Sequence, residues 1–250
     1  MNIKILKAAV AGFVLSVSGL ANAGLIGINF TTDSTPDSVL SANQSAGFVA
    51  QTNWNNLLTQ TVHNGSQTNL VDSNSDLLSG LNVAWSNVNN DYRGSYSAGT
   101  GDDTLFEGMI EGSSSAGVAG PTLNVTGINY AMYDVYVYMA EFASSGASVK
   151  IGSEEFFYTA TNNFANTGYV QATSTSFHDL SVATYARFSG LTDSSFQIDA
   201  FKVNGNRAAL VGFQIVEAAQ VTDTAQVPEP STLAIFALGI MGLASRRFKK

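Results

Sequence analysis

The stretch Tyr133-Asp134-Val135-Tyr136-Val137-Tyr138-Met139 is the clearest strand in the chain. Successive side chains of a strand point to opposite faces, so Val135, Val137 and Met139 share one side and Asp134, Tyr136 and Tyr138 the other. β-Branched and aromatic residues at this density fit a pleated surface better than a helix. The aliphatic side is expected to be core. The tyrosine side is either a second packed layer or a surface, and aromatic preference for strands favours packing.

On both sides of this stretch, short runs of the same period recur, separated by Gly, Asn, Asp and Ser clusters. Candidate strands are Leu25–Phe30, Leu81–Trp85, Leu105–Ile110, Thr122–Thr126, Met132–Ala140, Ala147–Ile151, Glu155–Ala160, Gly168–Ala172, Ala183–Phe188, Ser195–Val203 and Leu210–Val216. Their number and spacing predict an all-β antiparallel sandwich rather than a parallel sheet. Residues 185–188 and 196–201, joined by Ser189-Gly190-Leu191-Thr192-Asp193, read as a hairpin, and 211–216 as a last strand closing the sheet. Asn53-Trp54-Asn55-Asn56-Leu57-Leu58 suits a single helical turn capped by Asn53. Polar stretches 31–47, 61–76 and 111–120 read as loops, and no repeat of fixed period is found.

A chain of 250 residues with 45% apolar, only 12% charged and 23 glycine residues has an adequate core, many turns and a surface polar through Asn, Ser and Thr. Basic residues gather at the two ends. Six of the 11 Lys and Arg lie there, so the body between Gly24 and Val227 sets 18 acids against five bases, a net charge of −13. Such a body is a poor partner for nucleic acid or an anionic membrane, both of which need clustered cations. The chain has no cysteine, which excludes disulfides, thiolate metal sites and a cysteine nucleophile.

Residues 1–23 join a basic start (Lys4, Lys7), an apolar run from Ala8 to Leu20 and the small-residue site Ala21-Asn22-Ala23 before Gly24. This is the pattern of a Sec signal helix, cut by signal peptidase between Ala23 and Gly24. At the other end, a 217–226 linker leads to Val227-Pro228-Glu229-Pro230, an apolar stretch to Ala244, and Arg246-Arg247-Phe248-Lys249-Lys250. The prolines fix φ and remove donors, which keeps the segment extended and open to an enzyme. About 15 helical residues span only about 22 Å, short of the roughly 30 Å hydrocarbon core. The expected transmembrane helix is therefore short and suits a temporary anchor. Arg246 and Arg247 begin a cytoplasmic stop that leaves the body outside.

Pro228-Glu229-Pro230, the apolar span with Gly239 and Gly242, and the basic terminus together resemble the PEP-CTERM sorting signal over residues 227–250. The resemblance implies recognition by an exosortase, a Gram-negative host, and delivery to the cell surface or an exopolysaccharide matrix. The body, 24–216, is similar to secreted jelly-roll domains of the galactose-binding-like kind. Asn29-Phe30, Asn53-Trp54-Asn55, the Tyr133–Tyr138 run, Phe188-Ser189-Gly190-Leu191-Thr192 and Gly212-Phe213-Gln214-Ile215-Val216 carry that likeness in order. It implies a jelly-roll-like sandwich and carbohydrate as a class of ligand.

Signals for chemistry in the body are sparse. His63 and His178 are the two histidines, and each reads as a loop or turn residue. Asp102, Asp103, Glu107, Glu111, Glu154 and Glu155 could in principle supply the carboxylate pair of a glycosidase. Asp102, Asp103 and Glu107, in a Gly-rich context, could hold a structural calcium ion through carboxylate and carbonyl oxygens. A sugar site needs a flat aromatic face beside amide partners, and Asn53, Trp54, Asn55 and Trp85 offer both. The expectation is an exported, non-enzymatic surface or matrix protein that binds extracellular polysaccharide. A polysaccharide-active enzyme and a purely structural surface protein are the alternatives. Mass spectrometry of the mature surface form is expected to give a C-terminus upstream of Lys250; an intact chain there would contradict processing of the tail.

Overall fold

The structure is a computed structural model that describes residues 24–31, 36–58, 64–93, 99–115, 119–140, 145–161 and 164–218. The signal helix, His63, most of the linker and the whole sorting tail, including Pro228, Glu229, Pro230, Arg246 and Arg247, lie outside the described residues, as does Ala23. The chain divides into two units, one ending at Ala218 and the other starting at Ala219. No helix among the described residues is long and apolar enough to cross a membrane.

The body is a β-sandwich. Its first sheet holds β1 (Ile26–Thr31), β2 (Asn55–Leu58), β8 (Tyr133–Tyr138), β11 (Tyr185–Leu191) and β14 (Gly212–Glu217), in the order β11-β8-β14-β1-β2. The second holds β3 (Gly65–Gln67), β4 (Asn82–Ser86), β7 (Ala119–Thr126), β9 (Gly146–Ile151), β10 (Glu154–Thr159) and β12 (Ser195–Lys202), in the order β10-β9-β12-β7-β4-β3. A small third sheet joins β5 (Asn90–Arg93), β6 (Gly108–Glu111) and β13 (Ala209–Leu210). The described residues also hold two short α-helices, α1 (Gly101–Leu105) and α2 (Phe164–Thr167), and a 3-10 turn at Pro36–Ser38.

The principal core lies between the two large sheets. Ile26, Ile28 and Phe30 of β1, Val135 and Val137 of β8, and Phe213 and Ile215 of β14 meet Val83 and Trp85 of β4, Leu123 and Val125 of β7, Val149 of β9 and Ile198 of β12. The alternation read in β8 is observed: its aliphatic face is core. Its tyrosine face is a second packed layer, in which Tyr136 and Tyr138 join Leu40, Trp54, Leu105, Phe106, Phe164, Tyr185 and Val211.

Four local expectations are corrected. Asn53–Leu58 is not a capped helical turn. Asn53 takes a left-handed backbone (φ 54°) that asparagine tolerates, and the chain then enters β2, which pairs parallel to β1 from Ile28↔Asn55 to Thr31↔Leu58. A parallel neighbour requires a long crossover, and residues 32–54 provide it. The 185–201 hairpin is also absent: β11 pairs with β8 in the first sheet, whereas β12 pairs with β7 and β9 in the second. Gly190 (φ 71°) lies in a bulge of β11, where the register shifts between Phe188 and Leu191, and residues 192–194 then carry the chain from one layer to the other. Leu105–Ile110 is split between the end of α1 and β6, and 168–172 contributes one bridge, Gln171↔Tyr185. Strands β2, β3 and β5 have no clear alternation in the sequence and are held by their neighbours.

Candidate functional site

The side chains expected to bind sugar are structural. Trp54 and Trp85 are 5% and 6% exposed, so neither offers a ring face to a solvent-borne ligand. Trp54 donates from its indole nitrogen to the Gln51 carbonyl at 3.2 Å and lies against Gly27, where a Cβ would collide with the ring. Trp85 packs the same way on Gly65. Asn53 donates to the Ser73 carbonyl at 2.7 Å. Asn55 donates to the carbonyls of Gly27 (3.0 Å) and Val71 (2.8 Å) and accepts from the Val71 amide at 2.9 Å, which fastens β2 on its free side.

The proposed calcium ligands are likewise placed apart in role. Thr100 and Asp103 form a reciprocal capping box at the start of α1, with the Asp103 amide donating to the Thr100 hydroxyl and the Asp103 carboxylate accepting from the Thr100 amide at 2.9 Å. Asp102 accepts from the Tyr169 hydroxyl at 2.6 Å and from the Gly47 amide at 2.8 Å. Glu107 is fully buried. No group of three acidic or histidine side chains among the described residues is arranged to hold a metal ion.

Asp102 belongs to a different construction. Residues 46–51 form a strap, closed by reciprocal hydrogen bonds between Ala46 and Gln51 at 3.0 Å, that crosses the outer face of the first sheet. Two rows of side chains lie beneath it, set by strand register: Tyr185, Tyr138, Gly212 and Asn29 in one, Arg187, Tyr136, Gln214 and Gly27 in the other. The strap's polar groups find partners in these rows. The Phe48 amide donates to the Tyr138 hydroxyl at 2.8 Å, and the Tyr138 hydroxyl donates to the Gln214 side-chain carbonyl. The Gln214 amide group donates to the Val49 carbonyl at 2.8 Å and to the Gln51 side chain at 2.7 Å. Gly47 has φ 97°, and a Cβ there would run into the Gln214 amide, so the tip of the strap requires glycine on both counts.

Fastening the strap at Gly47 and Val49 fixes Phe48 between them. Its ring stacks on Tyr185 at 4.6 Å (29°) and on Tyr136 at 5.5 Å (21°), while 47% of the residue remains exposed. Near-parallel stacking on one side leaves the opposite ring face to solvent. The Arg187 guanidinium lies over Tyr136 at 5.7 Å and is held by Asp134, with nitrogen–oxygen distances of 2.6 and 3.1 Å. Gln171, exposed beside Tyr185, lies within hydrogen-bond distance of its hydroxyl at 3.3 Å. The result is a single half-exposed phenylalanine ring seated on two buried tyrosines, with a guanidinium and an amide beside them. Phe48 escapes a reading based on periodicity because it sits in a loop; the signal that could have found it is an aromatic directly after Gly47, outside any alternating run.

Residues 226–250 match the profile of the PEP-CTERM protein-sorting motif. The chain therefore carries a signal for export, transient membrane anchoring and exosortase processing. No curated protein sequence matches the chain. Among solved structures, protein YxiM of Bacillus subtilis is similar at 12% identity and a TM-score of 0.42, over 78% of this chain and 40% of that one. Two structures of Bacteroides uniformis β-glucuronidase, one covalently bound to a cyclophellitol-6-carboxylate aziridine, are similar at 10% and 11% identity and a TM-score of 0.34, over 70% of this chain and 22% of theirs. The chain thus spans less than half the length of each.

Burial raises the phenol pKa values across this face and around it. Tyr138 is pushed well above the ordinary value of 10, and Tyr169 is raised by burial and then by Tyr138 and Asp102. Tyr130 and Tyr133, at one end of the sandwich, are both pushed up to about 12 by burial, with Asp72 and Glu217 adding to the first and Asp193 to the second. An unfolded tyrosine releases its proton near pH 10, whereas the folded chain holds these protons to higher pH. Stability from this source is complete below pH 10 and falls as pH rises toward 12. Denaturant melts at stepped pH are expected to show that decline beginning near 10; a flat profile through 12 would contradict the burial of these hydroxyls.

Proposed function

We propose that this protein is a non-enzymatic component of the cell surface or extracellular matrix of a Gram-negative bacterium, and that its sandwich binds neutral exopolysaccharide on the Phe48 surface. One observation carries the reading: a half-exposed aromatic ring, backed by two stacked tyrosines and pinned on both sides, with Arg187 and Gln171 at its margin. Sugars bind flat aromatic faces through their C–H groups while neighbouring polar groups take the hydroxyls. The pinning matters because a ring already ordered adds no ordering cost on binding. The net charge of −13 on the body argues for a neutral polymer over a uronate-rich one.

Several acids considered for catalysis are tied into the fold. Asp102 serves the strap, Asp103 caps α1, Glu111 pairs with Arg207 at 3.6 Å, and Glu155 accepts from Ser148 at 2.6 Å. At the Phe48 surface itself, the carboxylate of Asp134 is held by Arg187 and by the Gly190 amide at 2.9 Å. Such a carboxylate favours a positioning role over proton transfer.

Affinity electrophoresis through gels containing neutral polysaccharides tests the proposal. A retained polymer should be held about tenfold more weakly by Phe48→Ala, in keeping with the loss of one stacking contact, while the circular dichroism spectrum stays the same. Retention unaffected by that change, or cleavage of the polymer, would overturn it; failure to retain any polymer would leave a structural surface role.

A further inference from the structure

The sequence places the leader cut directly before Gly24, and the structure shows what surrounds that residue. Gly24 is buried. Its carbonyl accepts a hydrogen bond from the Tyr130 hydroxyl. The next residue, Leu25, is fixed on both backbone groups by Ser73: its amide donates to the Ser73 hydroxyl at 3.0 Å, and its carbonyl accepts from the Ser73 amide at 2.8 Å. The residue that signal peptidase would expose is thus itself tied into the fold.

The side chain of Asp72 lies directly against Gly24. A Cβ at position 24 would collide with the Asp72 carboxylate, so the position requires glycine. Asp72 is itself 7% exposed, and its Oδ1 accepts from the amides of Asn74 and Asp76 at 2.8 and 2.9 Å. The other oxygen, Oδ2, is the one nearest Gly24. The ideal Cβ would stand 1.8 Å from Oδ2, and an α-nitrogen lies about 2.5 Å from its own Cβ, so the nitrogen is within about 4.3 Å of that oxygen. The wider surroundings are acidic: Asp72 and Glu217 both act on Tyr130. The ion pairs seen among the described residues, Arg187 with Asp134 and Arg207 with Glu111, lie elsewhere.

We propose that Asp72 is a docking site for the protein's own new N-terminus. Hydrolysis of the Ala23–Gly24 peptide bond by water gives the Ala23 carboxylate and a Gly24 amine, which takes up a proton to become an ammonium. That ammonium pairs with the buried Asp72 carboxylate. Before the cut, the same nitrogen is an uncharged amide and the carboxylate has no cation at this point. Leader removal thus tightens the closure of β1 onto the 72–76 turn, and the precursor is the less stable form. A partly buried pair of this kind contributes more than a surface one because solvent screens it less.

The proposal rests on the leader being cut after Ala23, and N-terminal sequencing of the exported protein checks that step by itself. The docking is tested separately with the Gly24–Lys250 chain carrying a removable N-terminal tag, before and after a protease that leaves Gly24 first. Each form is made with Asp72 and with Asp72→Asn, a change that keeps the oxygen accepting from Asn74 and Asp76. In the free-amine chain the substitution is expected to lower the thermal midpoint by about 3 °C or more, and in the tagged chain by much less. Equal shifts in both forms would overturn the proposal. Labelling of the free amine by an acylating reagent gives a second readout that does not depend on how well the variant folds. The folded Asp72 chain should react several-fold more slowly than the same chain in denaturant, and a rate equal to the unfolded one would overturn the docking.

Discussion

An antiparallel sheet with one face in a core can leave the other to water. β8 does not have that option, because its outer face presents Tyr136 and Tyr138 in the middle of the sheet, next to β14 and β11. Phenol rings of this size demand cover, and buried hydroxyls demand partners. The crossover between β1 and β2 meets both demands. It brings Leu40, Ala46 and Trp54 onto the tyrosines and supplies backbone groups for the Tyr138 and Gln214 side chains. The parallel placement of β2, the glycines at 27 and 47, and the position of Phe48 all follow from laying that crossover close against the sheet.

The same constraint explains which parts of the fold were legible in the sequence. Strands buried on an aliphatic face, such as β1, β4, β8 and β14, announce themselves by alternation. β2 does not, since Asn53 to Leu58 reads as a capped helical turn; Asn55 and Asn56 are in fact amide pins, with Asn56 accepting from the Leu40 amide and donating to its carbonyl. The division of 185–201 between two sheets was hidden for another reason. A turn with Gly190 between two alternating runs suits a hairpin and a layer crossing equally well, and long-range pairing decides between them. Tryptophan was a poor guide to the candidate site because a large apolar ring flanked by asparagines has the same local pattern in a core pinned by amides as on a sugar-binding surface.

The sorting motif and the sandwich describe successive stages of one itinerary. The sorting motif marks a tail that carries four of the chain's cations for exosortase processing, and the sandwich upstream of it is acidic. That body has little to hold it to anionic membrane or to nucleic acid, which suits a protein meant to leave the membrane for a surface or matrix. Its stability rests on two stacked apolar layers without disulfides. Fixing the N-terminus against Asp72 adds a contact that only the exported chain possesses.

Residues 46–51 are part of the packed structure, fixed on the tyrosine layer, and so hold Phe48 rigidly. Hydrogen exchange at the amides of Gly47 and Phe48 tests it most directly, because both point at buried or half-buried oxygens of Asp102, Tyr169 and Tyr138. Protection is expected to approach that of β8 and to be lost when Tyr138 is changed to Phe. Exchange as fast as in an unstructured peptide would contradict it.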